Sequence, residues 1–391
     1  MSGGAVVTLG CRLNIAESER IRALLAGEPD TIVVNSCAVT AEAVRATRQA
    51  IRRARRDRPG ARLLVTGCAA DIEREQLAAM PEVDGLVPNA AKLDARSWNV
   101  APAPGPPPGE RTRAFVAVQN GCDHACTFCV IPQGRGASRS LPVGDVLREV
   151  ERHLDQGAPE IVLTGVDVTS WGADLPGAPA LGDLARAILE AFPRLARLRL
   201  SSVDGAEIDD ALFDLLAHHP RMMPHLHLSM QHGADLILKR MKRRHRRADA
   251  IDLVARLKAE RPDLAVGADL IAGFPTETAG HHADNLAIIR DLAIVHGHIF
   301  PYSPRPGTPA ARMPQTDRTT IKARAAELRA ATNEVRAAWL AGLIGTPQHV
   351  LAERDGTGHA ENFARVALPA GTEPGTIFAM TPTAITQGLL T

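Results

Sequence analysis

Apolar positions in the first hundred residues fall into short runs separated by stretches of helical spacing. Residues 4–9 (GAVVTL), 31–34 (TIVV) and 63–65 (LLV) are the runs, and residues 16–25, 41–56 and 71–79 carry apolar side chains at helical intervals. Short apolar runs alternating with helices predict a parallel sheet, because strands covered on both faces lose the in–out alternation. The series resumes further on. Strands are predicted over residues 115–118, 161–164, 198–201, 225–229, 266–271 and 293–301, with helices between them such as 143–154, 181–192 and 248–260. Six βα-type units predict an open, partial barrel rather than a closed one of eight, with its site at the C-terminal strand ends. Residues 321–343 are strongly helical. Beyond Gly345 the pattern changes to short strand-like pieces at 349–353, 363–368 and 376–380, punctuated by Gly and Pro.

The segment APAPGPPPGE, residues 101–110, has five prolines and two glycines and predicts a linker. The chain is therefore read as α/β: an N-terminal parallel α/β domain (1–100), a linker (101–110), a central partial (β/α)6 barrel (111–343) and a small C-terminal β domain (344–391). A length of 391 residues is consistent with two or three domains. The net charge of +1 excludes a polycation, so any nucleic-acid surface must be locally clustered, and 12 aromatic residues rule out widespread base-stacking platforms. No run approaches the roughly 18–20 apolar residues of a membrane span. The N-terminus MSGGAVVTLGCRLN lacks a basic segment followed by a long apolar one, so no signal peptide and a cytoplasmic location are expected. Six cysteines in a reducing compartment point to metal binding or catalysis before disulfides.

Three of those cysteines form a C-x3-C-x2-C loop, Cys122, Cys126 and Cys129, directly after the first strand of the barrel. Three thiolates on a tight loop can hold three irons of a [4Fe–4S] cluster and leave the fourth open for a substrate or cofactor. S-adenosylmethionine (SAM) can fill that position through its amino and carboxylate groups. A zinc site completed by His124 is the plainer alternative; otherwise His124 stands beside the metal or exposed. Cys11, Cys37 and Cys68 each close a strand-like run (VVTLGC, TIVVNSC, LLVTGC). A parallel sheet brings such ends to one edge, so these three can meet as a second open trio, or be small buried core residues.

The string CDHACTFCVIPQGRGASRS, residues 122–140, resembles the radical SAM superfamily and, within it, the methylthiotransferase family. TLGCRLN, NSCAVT and VTGCAA resemble the three cysteine motifs of that family's N-terminal domain, and Asn89 of the VPN triplet fits the same pattern. Gln133 stands where relatives often carry Tyr. The GRGASRS ending resembles members acting on N6-threonylcarbamoyladenosine in tRNA; members acting on isopentenyladenosine in tRNA or on a ribosomal-protein aspartate are the nearest rivals. A metal-stabilised RNA-binding protein is the non-enzymatic one.

The resemblance implies two [4Fe–4S] clusters, on Cys11, Cys37 and Cys68 and on Cys122, Cys126 and Cys129. It implies SAM used twice, as methyl donor at the first cluster and as radical source at the second, with the methylthio group delivered to C2 of the adenine. It implies tRNA, an electron-donor protein and a sulfur source as partners. Gly165, Gln231 and Gly273, at strand ends, match the family's SAM cradle; Asp167, where the family often shows Asn, is given no role. The run 239–247 holds seven Lys or Arg in nine residues, and Lys242, Arg243 and Arg244 are the candidates for RNA phosphates; a second basic stretch lies at 45–58. The tail resembles a TRAM-like β-barrel, with GHAENFARV (358–366) as the matching piece, and is either an RNA-binding module or a structural cap.

Overall fold

The computed structural model describes residues 4–101 and 112–391; the expected linker lies almost wholly outside the described residues. The first domain is a four-stranded parallel sheet, β1 (Ala5–Thr8), β2 (Thr31–Ser36), β3 (Arg62–Gly67) and β4 (Gly85–Leu86), in sequential order. Its helices are α1 (Arg12–Leu24), α2 (Ala41–Asp57), α3 (Cys68–Ile72) and α4 (Arg74–Ala78). α2 turns Val44, Ile51 and Ala54 onto one face of the sheet, against Ile32, Val34, Leu63 and Val65. α1 covers the other face, where Ile21 packs with Val33, Leu64 and Trp98. The single helix expected over 71–79 begins at Cys68 and breaks at Glu73, which makes Cys68 the first helical residue rather than the end of a strand.

The second domain follows with β5 (Arg113–Ala117), β6 (Gln119–Asn120), α5 (Ile131–Arg135), β7 (Arg139–Ser140), α6 (Val143–Asp155), β8 (Glu160–Thr164), α7 (Leu181–Ala191), β9 (Arg197–Leu200) and β10 (Ser202–Val203). It continues with α8 (Asp210–His218), β11 (His225–Gln231), α9 (Asp235–Arg240), α10 (Arg247–Glu260), β12 (Ala265–Ala272), α11 (Ala279–Asp291), β13 (Ile294–Pro301) and α12 (Arg318–Gly342). Two parallel sheets, β5-β8-β9 and β10-β11-β12-β13, make one arc, since β9 and β10 are a single strand interrupted at Ser201. That is the expected six-unit open barrel. Its largest core lies between the arc and the outer helices, with Val116, Ile161, Leu163, Leu184, Ile188, Leu198 and Val266 buried there. α1 packs on the arc beside β5, where Ala16 meets Phe115 and Val162.

The tail is a six-stranded, mainly antiparallel sheet of β14 (Gln348–Ala352), β15 (Thr357–Ala360), β16 (Arg365–Ala367), β17 (Ile377–Met380), β18 (Ile385–Thr386) and β19 (Leu389–Leu390). It docks on the N-terminal ends of the arc strands. Arg197 donates to His349 O at 2.8 Å and His359 O at 3.2 Å, Arg199 donates to Glu361 O at 3.1 Å, and Arg113 pairs with Glu353 at 2.7 Å. Phe363, expected inside a strand, sits in a turn at φ 70° and stacks on His359. The tail's GHAENFARV piece thus faces the barrel as a cap.

Candidate active site between two cysteine trios

After β5 the chain makes a small antiparallel hairpin, with Gln119 opposite Ser140 and Asn120 opposite Arg139. This hairpin pinches off the loop that carries Cys122, Cys126 and Cys129. Within the loop the Cys122 N–H donates to Gly136 O at 3.1 Å and the Cys129 N–H to Cys126 O at 3.1 Å. Thr127 fastens it to the end of α9: its N–H donates to Met241 O at 3.1 Å and its hydroxyl to Arg240 O at 2.8 Å. Gln119, not singled out in the sequence, does the joining on the other side. Its carboxamide oxygen accepts from the N–H groups of Val166 at 3.0 Å and Asp167 at 2.9 Å, and its NH2 donates to Gly121 O at 2.8 Å. The loop is therefore held against the C-terminal end of β8.

The three sulfurs line a cavity of about 140 Å³ together with Phe128, Asp167, Gln231 and Arg243. Gln231 is held at φ 65° where β11 shifts register against β12, a strained conformation of the kind found at functional sites. Gly165 and Gly273 do not line the cavity. A Cβ on Gly165 would lie 2.8 Å from the Gln119 carboxamide oxygen, and one on Gly273 would lie 2.5 Å from the Ile321 side chain. Their smallness serves the Gln119 junction and the packing of α12. His124 and Asp167, left without a role by the sequence, form a pair at 2.6 Å. The hydrogen bonds to Asp167 and Glu207 push the His124 imidazole up to about 10. Cys122, His124 and Asp167 bring their ligand atoms close enough together to hold a metal ion, the arrangement of the zinc alternative.

The basic run divides. Arg243 is turned inward: its guanidinium pairs with Asp204 at 2.9 Å, donates to Ser229 O at 2.9 Å and approaches the Cys126 sulfur at 3.6 Å. Arg244 pairs with Glu207. The expectation that both meet RNA phosphate is corrected for Arg243, because a guanidinium so enclosed faces the thiols. Lys242 is exposed and has no acid within 4 Å among the described residues. In the second basic stretch Arg45, Arg48, Arg52, Arg55, Arg56 and Arg58 each lie within 4 Å of an acid.

The first trio stands at the matching edge of the smaller sheet. Cys37 follows β2 directly, Cys68 follows β3, and Cys11 lies just beyond β1. Gly10, at φ 99°, lets the β1 loop close onto the β2 loop, since a Cβ there would lie 2.8 Å from the Cys37 Cβ and 3.0 Å from its sulfur. Arg135, from the GRGASRS segment, crosses between the domains. It donates to the Cys68 sulfur at 3.3 Å, to both oxygens of Glu17 at 2.9 and 3.0 Å, to Asn14 Oδ1 at 2.6 Å and to Asn120 Oδ1 at 2.8 Å. Lys92 completes the buried group at 2.5 Å from Glu17, and Asn89 donates to Gly134 O at 2.5 Å. The charge of Cys68 reaches Cys129 of the second trio and raises its thiol.

Each trio thus has one buried guanidinium aimed at a sulfur. Burial first, and then the charge of neighbouring thiols and of Asp167, pushes the Cys37 thiol up to about 11, Cys122 up to about 12 and Cys129 up to about 11, even with the guanidiniums nearby. These thiols therefore stay neutral near pH 7. A bound iron reverses that preference, because a coordinating thiol is deprotonated outright. Three sulfurs, a nearby guanidinium and a cavity beside them fit an iron–sulfur cluster with an open position.

A barrel of six parallel units with a C-x3-C-x2-C loop at its first strand end has the architecture of a radical SAM enzyme. A model of the radical SAM superfamily matches residues 116–287, and one of the uncharacterized protein family UPF0004 matches residues 4–88. The threonylcarbamoyladenosine tRNA methylthiotransferase MtaB of Rickettsia prowazekii (strain Madrid E) is 42% identical, over 98% of this chain and 96% of that protein. The tRNA-2-methylthio-N(6)-dimethylallyladenosine synthase of Frankia alni is 35% identical, over 92% of this chain and 80% of that protein. Among solved structures, the radical S-adenosylmethionine methyltransferase TsrM from Kitasatospora setae, with cobalamin and a [4Fe-4S] cluster bound, shares the fold with a TM-score of 0.55 at 17% identity, covering 80% of this chain and 77% of that one. The chain belongs to the radical SAM methylthiotransferase family and is a transferase; SAM and a [4Fe–4S] cluster are the cofactors that the family implies.

Proposed function

We propose that this protein methylthiolates C2 of N6-threonylcarbamoyladenosine at position 37 of tRNA, next to the anticodon. The observation that carries the reading is the 42% identity along 98% of the chain to the Rickettsia enzyme, higher than the 35% shared with the dimethylallyladenosine synthase. In this reading Cys122, Cys126 and Cys129 hold the cluster that receives SAM, and Cys11, Cys37 and Cys68 hold a second one. Bound there, the clusters and SAM would supply the electron, the methyl group and the radical chemistry at C2. The chain's own share is placement. Arg135 and Arg243 offset thiolate charge, and the Arg135–Glu17–Lys92 group keeps the two trios face to face. Closely packed walls keep water away from the reacting atoms. Lys242 offers a phosphate contact to tRNA, while the electron donor and the sulfur source are separate partners.

Two measurements test this. The nucleoside 2-methylthio-N6-threonylcarbamoyladenosine should vanish from the tRNA of cells lacking the protein and return with the gene; loss of the methylthio group from isopentenyladenosine instead would transfer the reading to that substrate. Anaerobic iron counting should give about eight irons per chain for the intact protein and about four for either Cys37→Ala or Cys126→Ala. Cys37→Ala should still cleave SAM, and full product formation by that variant would overturn the division of labour between the trios.

A further inference from the structure

Arg12, the residue after Cys11, lies inside the barrel. The charges it feels come from Arg113 on β5, Glu160 on β8, Arg199 on β9 and Asp269 on β12, and a group that senses four strands of one arc sits within it. Three guanidiniums surround the ring of Phe363 there, Arg199 at 4.9 Å, Arg113 at 5.3 Å and Arg12 at 5.9 Å. Two of them have acids: Arg199 pairs with Glu160 at 2.8 Å and Arg113 with Glu353 at 2.7 Å. The remaining acid, Asp269, is engaged by His227 and His298, each at 3.1 Å. Arg12 has no hydrogen bond to the protein and no acid within 4 Å among the described residues. The first turn of α1 that carries it also holds no acid, and its N-cap makes no side-chain bond. A half-buried cation with no hydrogen-bond partner, set among arginines that are paired, can take an anion from outside the chain.

Asp269 also lines a cavity of about 180 Å³ between Val39 and Thr40 of the first domain and the barrel mouth, which shares Phe128 and Gln231 with the cavity of the cysteine loop. A group entering past the cysteines therefore comes to Asp269, whose charge acts on Arg12. We propose that Arg12 is a specificity residue that binds the carboxylate of the threonylcarbamoyl group and so selects N6-threonylcarbamoyladenosine over nucleosides with an uncharged N6 substituent. This rests on the substrate reading above.

The test compares two anticodon stem-loops by fluorescence anisotropy, one with N6-threonylcarbamoyladenosine and one with its methyl ester, which keeps the shape and removes the charge. The intact protein should bind the acid at least about tenfold more tightly than the ester. Arg12→Gln should bind both alike, and Arg12→Lys should restore part of the preference. Equal binding by the intact protein overturns the proposal without recourse to a variant that fails to fold. So does a preference that survives in Arg12→Gln, or a loss in that variant that appears only as weaker SAM binding. Turnover of the acid stem-loop by the intact protein separates the two readings: turnover without an acid preference sinks the role of Arg12 alone, whereas no turnover sinks the substrate.

Discussion

Replacing Arg135 with Ala removes the cation that ties the two domains together at the cysteine trios. Its side chain is 2% exposed, as is that of Glu17, and it gives two hydrogen bonds to Glu17 and one each to Asn14 and Asn120. Removing one partner of a buried ion pair costs about 3–5 kcal/mol, because the other charge stays buried. Lys92 remains 2.5 Å from Glu17, which places the expected loss at the lower end, about 3 kcal/mol. For units of 150–250 residues that corresponds to a fall of about 6–12 °C in Tm. Thermal unfolding followed by circular dichroism reads it, with the exposed Arg53→Ala as the control expected to stay within about 0.5 kcal/mol. The pH dependence carries a sign. Burial raises the Glu17 carboxyl, but Lys92 and Arg135 outweigh burial and hold it below its ordinary 4.5. A depressed carboxyl stabilises the fold above pH 4.5 and loses that contribution as the pH falls, so the gap between the intact protein and Arg135→Ala should narrow in acid. A Tm shift no larger than that of Arg53→Ala would refute the claim that this group joins the domains.

The two halves of the basic run should separate experimentally. Lys242→Glu should weaken tRNA binding and lower the salt slope by about one with iron content unchanged, whereas Arg243→Gln should lower iron retention with the slope unchanged; equal changes in slope would undo the distinction. Glu277 gives an acid-sensitive limb. Burial raises its carboxyl, yet hydrogen bonds from His232 and His282 and the charge of Arg324 hold it at about 2. Its contribution is complete above 4.5 and is lost as pH falls toward about 2, so urea midpoints should decline over that range in the intact protein and less in Glu277→Gln. Parallel declines would remove Glu277 as the cause.

The parallel sheets were legible because βα units announce themselves as short apolar runs between helices, and all six arc strands fall where the pattern puts them. The cysteine trios were legible because Cys11, Cys37 and Cys68 each follow a strand, and because Cys122, Cys126 and Cys129 keep the C-x3-C-x2-C spacing on one loop. What escaped was set by tertiary contact. Gln119 reads as an ordinary polar residue at the end of a strand, and only the fold shows its carboxamide joining the cysteine loop to β8. Arg243 lies in a run whose composition suggests a solvated or RNA-facing surface, yet the chain enters the left-handed region at Lys242, φ 57°, and Arg243 then turns toward Asp204 and Cys126. β15 was missed because TGHA carries no apolar run, and its burial comes from neighbouring strands of the tail, where Ala360 packs with Val350 and Val366.

In the substrate reading proposed above, the GRGASRS segment can track the substrate through its structural contacts. Arg135 is engaged by Glu17, Asn14, Asn120 and Cys68. The Ser138 hydroxyl accepts from Gln119 and its N–H donates to Asp123, while the Ser140 N–H donates to Asp174 and its hydroxyl accepts from the Gly172 N–H. These contacts serve domain docking and loop anchoring, while the Arg139 side chain stays exposed with one hydrogen bond, to Arg135 O at 3.3 Å, among the described residues. The segment therefore reports how the two trios are held together, and in the substrate reading proposed above discrimination between N6 substituents falls to Arg12. Exchanging residues 134–140 for those of a dimethylallyladenosine enzyme should change stability and iron retention but leave the product nucleoside the same, whereas a changed nucleoside would return specificity to the hairpin.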